Sequence, residues 1–397
     1  MSEYSIQNKV KLVRGGKEYF HMLIKLINEA RDYIHLQAYI FKNDNTGKEI
    51  IKVLKSANKR GVDVYLLADG YASQDLPKAF IQDLEKEGIH FRLFEPLFKS
   101  ESFYFGRRMH HKIIVIDGTK AIIGGVNIAD RYNDFPDHPA WLDFTVYVEG
   151  EVVKEICVLC WKTWNSFPLR MIQTPCEKKE HTFTFQKGET SLVRMRRNDW
   201  VRRKNEISNT YLEILKKAEK NILIVCSYFL PGRVITRQMQ KALKRGVKIT
   251  VVTAGISDIM LAKNAERWLY DRLLRLGINI LEYQPSILHA KLAICDEEWI
   301  TIGSYNINDI SAYASIELNL DIKDVNFTSA VKNTIDNIIR NDCVQITAKM
   351  HKKNKNIFVQ FLRWISYYTI QVIFHLATFY FKRENIKHNN LTDKPHY

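Results

Sequence analysis

One pattern, written twice, constrains this chain more than any other feature. His110-His111-Lys112-Ile113-Ile114-Val115-Ile116-Asp117 is followed, six residues later, by Gly124-Gly125-Val126-Asn127. His289-Ala290-Lys291-Leu292-Ala293-Ile294-Cys295-Asp296 is followed, again six residues later, by Gly303-Ser304-Tyr305-Asn306. Other segments recur at nearly the same separation. Lys59-Arg60-Gly61-Val62 returns as Lys244-Arg245-Gly246-Val247, Gly88-Ile89 as Gly277-Ile278, and Tyr39-Ile40-Phe41 resembles Tyr228-Phe229-Leu230. A repeat of this length implies two halves of one design. We divide the 397 residues into a first repeat at 1–170, a polar and basic linker at 171–205, a second repeat at 206–347 and a tail at 348–397. The basic stretch Arg194–Arg203 falls in the linker and is expected to be solvated.

Within each half, apolar strand-like runs alternate with amphipathic helical stretches. Ile34 to Ile40 reads as a strand, and Thr46 to Lys59 has helical spacing, with Ile50, Ile51, Val53 and Leu54 on one side. Gly61 is a helix stop before a second strand from Val62 to Ala68. Strands alternating with helices predict an α/β class with covered sheets.

The duplicated stretch is rich in β-branched residues and predicts a strand. Residues two apart on a strand share a face, so His110 goes with Lys112 and His289 with Lys291, while His111 points away. Near neutral pH an imidazole can be a nucleophile in one state and an acid in the other. Two of them can divide a phosphoryl transfer: one bonds to phosphorus, while the other protonates the leaving alkoxide and then deprotonates the incoming alcohol. Lys112 and Lys291 supply charge to the phosphate oxygens, and Asn127 and Asn306 supply neutral donors, without a metal or other cofactor. Each histidine base needs an orienting carboxylate. Asp143 follows His110 within its half, and Glu317 follows His289 within the other. Asp117 and Asp296 complete the two motifs and are counted with the candidate site. However, each lies an odd number of positions from its lysine and begins a turn, which points to a structural role.

At these residues the chain resembles the phospholipase D superfamily. From about Lys11 to Thr347 it is most similar to bacterial cardiolipin synthases of the shorter type, without N-terminal transmembrane helices. Arg107-Arg108-Met109, the run from Ile122 to Ala129, Leu66 to Tyr71, and Tyr228-Phe229-Leu230-Pro231-Gly232 add to the likeness. The resemblance implies a pseudo-two-fold α/β/α/β/α sandwich whose half-sites meet in one active centre. It also implies ping-pong phosphatidyl transfer, and by the family pattern His110 is the nucleophile and His289 the acid. Many members carry Ser or Thr where Gly125 stands. Ser304 keeps that hydroxyl and joins the phosphate-binding candidates, so a lopsided centre is expected.

The formal charge of +15 attracts polyanions, either nucleic acid or an anionic membrane surface. From Trp364 to Phe381 the tail has no charges and many aromatics, while Gln360, Arg363, Tyr367, Gln371, His375, Thr378 and Lys382 form one polar helical stripe. That pattern predicts an interfacial helix, apolar side in the acyl boundary and basic residues such as Lys352, Lys353 and Lys355 toward headgroups. The alternative is a helix packed on the protein's own core. The polar start, Met1 to Lys9, has no apolar h-region, so no signal peptide is expected and a reducing cytoplasm is the default. Cys157 and Cys160 sit in an apolar run and are expected to be buried helix residues.

The expected activity joins two phosphatidylglycerols into cardiolipin and glycerol. The expected setting is an anionic membrane, peripheral on its cytoplasmic side, with no nucleic acid and no obligate protein partner. The alternatives are another phospholipid transferase or hydrolase, a phospholipase D-type nuclease, which has no need of an aromatic amphipathic tail, and a non-catalytic scaffold, which has no need of two intact motifs.

Overall fold

The computed structural model describes residues 3–96, 107–165, 176, 181–186, 188–308, 311–312, 315–353 and 356–392; for 351–353 and 376–392 it describes the backbone. The first half runs β1 (Asn8–Arg14), α1 (Lys17–Glu29), β2 (Tyr33–Ala38), α2 (Asn45–Lys59), β3 (Asp63–Asp69), α3 (Lys78–Lys86), β4 (His90–Phe94), β5 (Arg108–Met109), β6 (Lys112–Ile116), β7 (Lys120–Gly124), β8 (Phe144–Gly150) and α4 (Val152–Trp164). The second runs β9 (Leu192–Asp199), β10 (Lys204–Asn205), α5 (Glu206–Lys217), β11 (Asn221–Cys226), α6 (Arg233–Lys244), β12 (Lys248–Ala254), α7 (Met260–Arg275), β13 (Asn279–Tyr283), β14 (Lys291–Cys295), β15 (Trp299–Gly303), β16 (Ser315–Lys323), α8 (Val325–Asp342) and β17 (Cys343–Ile346). Two further helices, α9 (Ala348–Lys353) and α10 (Ile357–Thr392), form the tail.

The two sheets share one topology. The first has the order β1-β8-β7-β6-β2-β3-β4, and the second contains β9-β16-β15-β14-β11-β12-β13, each strand the counterpart of the one in the same place. In both, the strand that begins at the motif lysine lies antiparallel to the strand that opens the parallel βαβ part. The local cause is repeated too. α2 starts on Asp44, whose side chain accepts from Gly47 N at 3.0 Å, and buries Ile50, Ile51, Leu54 and Ala57. It ends at Gly61, whose φ of +90 suits glycine; α6 ends the same way at Gly246.

β6 and β14 are buried along their whole length, as their unbroken apolar sequences require. One face of each sheet joins a common core. Ile113, Val115, Ile123 and Val146 from the first sheet and Leu292, Ile294, Ile302 and Leu318 from the second pack with α4 and α8. Each such side chain contributes roughly 1.5–3 kcal/mol by leaving water, so the halves cannot part without exposing this layer. The outer faces carry separate cores, under α1 and α2 in one half and under α5 and α6 in the other. The layering is therefore α/β/α/β/α, as the family resemblance implies.

Two expectations are corrected. Arg194–Asp199 is not linker but part of β9, the first strand of the second sheet, paired along its length with β16. Its arginines are not solvated in the expected way. Arg194 and Arg196 reach the buried Asp321 at 3.0 and 3.3 Å, and that pairing lets a basic run sit in a strand. The linker residues 177–180 and the basic-run residues 354–355 lie outside the described residues. Cys157 and Cys160 are buried helix residues in α4, but Cys157 is also bonded to Cys176, which the scattered cysteines did not suggest.

Candidate active site

Both motif histidines lie just outside the regular strand, which in each half begins at the lysine. The His110 and His111 N–H groups both donate to Ile316 O, at 3.0 Å each. In the other half the His289 and Ala290 N–H groups donate to Leu142 O, at 2.7 and 3.1 Å. Each motif thus docks on the strand end of the opposite repeat, at the residue just before that repeat's candidate carboxylate.

The carboxylates consequently cross over. His110 Nδ1 meets Glu317 at 2.9 and 3.0 Å, and His289 Nδ1 meets Asp143 at 2.6 Å. Sequence order had placed Asp143 with His110 and Glu317 with His289; the structure exchanges the partners. Both carboxylates are fully buried, whereas the imidazoles keep 18% (His110) and 9% (His289) of their side-chain surface exposed. An N–H at Nδ1 held by a carboxylate leaves the lone pair on Nε2, and no described residue hydrogen-bonds to either Nε2. Two imidazoles with free Nε2 atoms therefore lie within electrostatic reach of each other and of both lysines.

Lys112 Nζ is held at 2.5 Å by His110 O and lies 5.2 Å from the Tyr39 ring centroid. Lys291 Nζ is held by His289 O and by Ser227 Oγ at 3.1 Å. These contacts fix two ammonium groups on the motif histidines' side of the sheets. His111 faces the other way, fully buried, with Nε2 2.8 Å from Gln37 Oε1.

The structure moves other sequence candidates out of the centre. Asp117 and Asp296 sit at the far ends of β6 and β14. Asp117 accepts the N–H groups of Arg31, Asp32 and Tyr33, and Asp296 those of Glu219, Lys220 and Asn221. They cap the entry to β2 and β11, so the aspartate of the motif serves the fold. Ser304 does not face a phosphate: its hydroxyl donates to Glu317 Oε2 at 2.5 Å and accepts from Leu318 N at 3.1 Å. Asn127 joins Ile40 N at 2.9 Å to the Tyr132 hydroxyl at 3.0 Å, and Asn306 Oδ1 accepts from Cys226. Both asparagines are buried and brace the loops around the site.

The family model described as cardiolipin synthase, PLD-like domain, matches residues 23–137 and 211–339. Cardiolipin synthase B of Shigella flexneri is 32% identical over 351 residues, covering 87% of this chain and 84% of its own. The chain belongs to the cardiolipin synthase family of the phospholipase D superfamily. The protein of the same name from Salmonella typhi is 32% identical over 356 residues, covering 87% of this chain and 84% of its own. Among solved structures, phosphatidylserine synthase of Haemophilus influenzae superposes with a TM-score of 0.71 at 14% identity, over 92% of this chain and 94% of that one. That likeness extends over both lobes of the fold.

Electrostatics in this member's centre follow from burial of like charges together. Burial, then the neighbouring Lys291, lowers Lys112 to about 7. Burial lowers His110 against the pull of Glu317, and burial with both lysines holds His289 well below its ordinary range. Burial pushes the Asp143 carboxyl up to about 7. A phosphodiester anion entering between the lysines relieves this mutual repulsion, so the centre is built to be completed by an anion.

Sequence reasoning missed the aromatic walls. The Tyr39 ring lies 4.8 Å from His110, and the rings of Tyr132 and Trp141 lie 5.3 and 5.8 Å from His289. The Tyr228 hydroxyl bonds to Asp258. The repeat could have flagged Tyr39 and Tyr228, which stand just past the ends of β2 and β11. Tyr132 and Trp141 had no such signal, because each reaches His289 from the other repeat.

Proposed function

We propose that this protein is a cardiolipin synthase that transfers the phosphatidyl group of one phosphatidylglycerol to the terminal hydroxyl of another. The observation that carries the reading is the exchange of carboxylates: each repeat orients the other's histidine, which brings two imidazoles and two lysines within electrostatic reach of one another. In the first step His110 Nε2 bonds to phosphorus as the bond to the glycerol oxygen breaks, and His289 gives its proton to that oxygen. Glycerol leaves, and a phosphohistidine remains. In the second step His289 takes the proton of the acceptor hydroxyl, the acceptor oxygen bonds to phosphorus, and the bond to His110 breaks. Lys112 and Lys291 hold the non-bridging oxygens, and the substrate's negative charge raises His289 enough for it to carry the proton. Glu317 and Asp143 orient the rings and stabilise the imidazolium forms.

The surface supports lipid over nucleic acid as substrate. Ile256, Ile259, Met260 and Leu261 are exposed around Asp258, beside Tyr228. Beside them α10 shows Phe358, Phe361, Trp364, Ile365, Tyr368, Val372 and Ile373 to the outside. We place this face in the acyl boundary of an anionic membrane, peripheral and on the cytoplasmic side, with the basic surface toward headgroups.

Purified protein with phosphatidylglycerol vesicles in chelator is expected to release cardiolipin and glycerol. Phosphatidic acid alone means hydrolysis, and cleaved DNA without lipid turnover means nuclease. His110→Ala and His289→Ala are each expected to lose on the order of 10³-fold in rate or more while keeping the wild-type circular dichroism. Full turnover by either variant excludes the shared centre.

A further inference from the structure

We propose that Arg131 binds the phosphodiester of the acceptor lipid, beside His289. The proposal rests on the transfer reaction above and goes beyond it. An accepting phosphatidylglycerol carries its own phosphodiester three carbons from the attacking hydroxyl. Two phosphates must therefore lie close together during the second step. Lys112 and Lys291 neutralise the one under attack, and the other needs a cation near the base that activates the hydroxyl.

Arg131 stands where that cation is required. It lies in the short turn Asp130–Tyr132, is exposed, and makes no ion pair with any described residue. Its guanidinium carbon lies 4.8 Å from the Trp141 ring centroid and 5.5 Å from that of Tyr132. Those are the two rings that flank His289, at 5.8 and 5.3 Å. One aromatic ring thus separates the guanidinium from the imidazole. A guanidinium stacked on a ring keeps its in-plane N–H fork open, which suits bidentate capture of a phosphodiester.

The surrounding charges leave that fork unmatched. Lys42 is paired with Asp75 at 2.5 Å. Asp44 accepts from Gly47 N and Asp130 N, Asp130 accepts from Asn45 and Thr46, and Asp258 is bonded to Tyr228. Arg131 also borders an open cavity of about 540 Å³ that Lys42, Asn43, Asp44, Asp75, Pro77 and Ala129 line; Asp75 is taken by Lys42 and Asp44 by two backbone N–H groups, which leaves Arg131 as the unpaired charge there among the described residues. The cavity has room for a glycerophosphate headgroup, and it adjoins the segment whose Tyr39 faces His110. A neutral alcohol has no use for this subsite; an anionic acceptor does.

The test sets two acceptors against each other. Full-length protein is given phosphatidylglycerol vesicles with ethanol as a neutral competitor, and cardiolipin and phosphatidylethanol are both quantified. Arg131→Gln is expected to lower the ratio of cardiolipin to phosphatidylethanol at least tenfold, and Arg131→Lys to give an intermediate ratio. An unaltered ratio overturns the proposal, as does a parallel fall of both products, which marks a purely structural role. A wild type that makes phosphatidylethanol but no cardiolipin also overturns it while leaving phosphatidyl transfer standing. A wild type that makes neither removes the transfer reading and the proposal with it.

Discussion

Glu317 and Asp143 perform one task with side chains of different length, and their neighbours differ to match. Glu317 is steadied by the Ser304 hydroxyl at 2.5 Å. Asp143 is steadied by Phe144 N at 2.8 Å, and the position equivalent to Ser304 is Gly125. A Cβ at Gly125 would stand 2.3 Å from Asp143 Oδ2, so glycine there is a steric requirement of the shorter carboxylate. Gly125→Ser is therefore expected to displace Asp143 and to lower kcat, even though it restores the residue found in the other half. Wild-type kcat in that variant refutes this account. Glu317→Gln and Asp143→Asn keep the shape but remove the charge that fixes the tautomer. Each is expected to lower kcat by about 10²–10⁴-fold with little change in thermal stability. A loss of stability as large as the loss of rate assigns them to the fold instead.

At the scale of elements, α10 reconciles two readings that the sequence held apart. From Gln360 to Gln371 its polar stripe packs on the protein. Arg363, Ser366, Ile370 and Phe374 are buried and Gln360, Tyr367 and Gln371 half-buried, whereas His375 is exposed and the side chains of Thr378 and Lys382 lie outside the described residues. Ile370 and Phe374 pack with Ala262 and Ala265 of α7 and with Leu230, beside Tyr228. The apolar residues around the rest point outward instead. Ile357–His375 has a mean hydropathy of 1.2 over 19 residues and is 22% buried, so by length and composition it could cross a membrane. One helix thus uses its mixed face to hold the body and its greasy face elsewhere. Two variants separate these roles. Phe374→Ala is expected to destabilise by about 3 kcal/mol, read as a lower denaturant midpoint. Phe361→Gln with Ile365→Gln is expected to keep the midpoint and lose sedimentation with anionic liposomes. Liposome binding retained by the double variant removes the outer face from the membrane model.

For the whole molecule, the layer between the sheets makes stability depend on pH. His35 and His111 are both fully buried there, and burial lowers each to about 3. Neither ring nitrogen of His35 has a hydrogen-bond partner among the described residues; its ring stacks on Tyr65 and meets Trp161 edge-on. The unfolded chain protonates these histidines near pH 6.5, the folded protein only near 3. Between those values the unfolded state binds more protons, so stability falls as pH is lowered, by about 1.4 kcal/mol per pH unit for each group. Denaturation midpoints measured from pH 7 to 4 are expected to fall, and those of His35→Leu to fall less steeply. Equal slopes in the two proteins contradict the buried neutral state of His35.

Local pattern in the chain pointed to the doubling, the α/β alternation, the helix stop at Gly61, and the histidines, lysines and carboxylates that the fold brings together. These follow from side-chain type and from periodicities of two and about 3.6, which act over a few neighbouring residues. Folding settled the rest: which carboxylate serves which histidine, that Ser304 braces Glu317, that Arg194 belongs to a strand rather than a linker, and which way α10 is turned. Each of these depends on a contact between residues far apart in the chain. The packing of one repeat against the other, and of α10 against α7, supplies those contacts, and no local pattern encodes them.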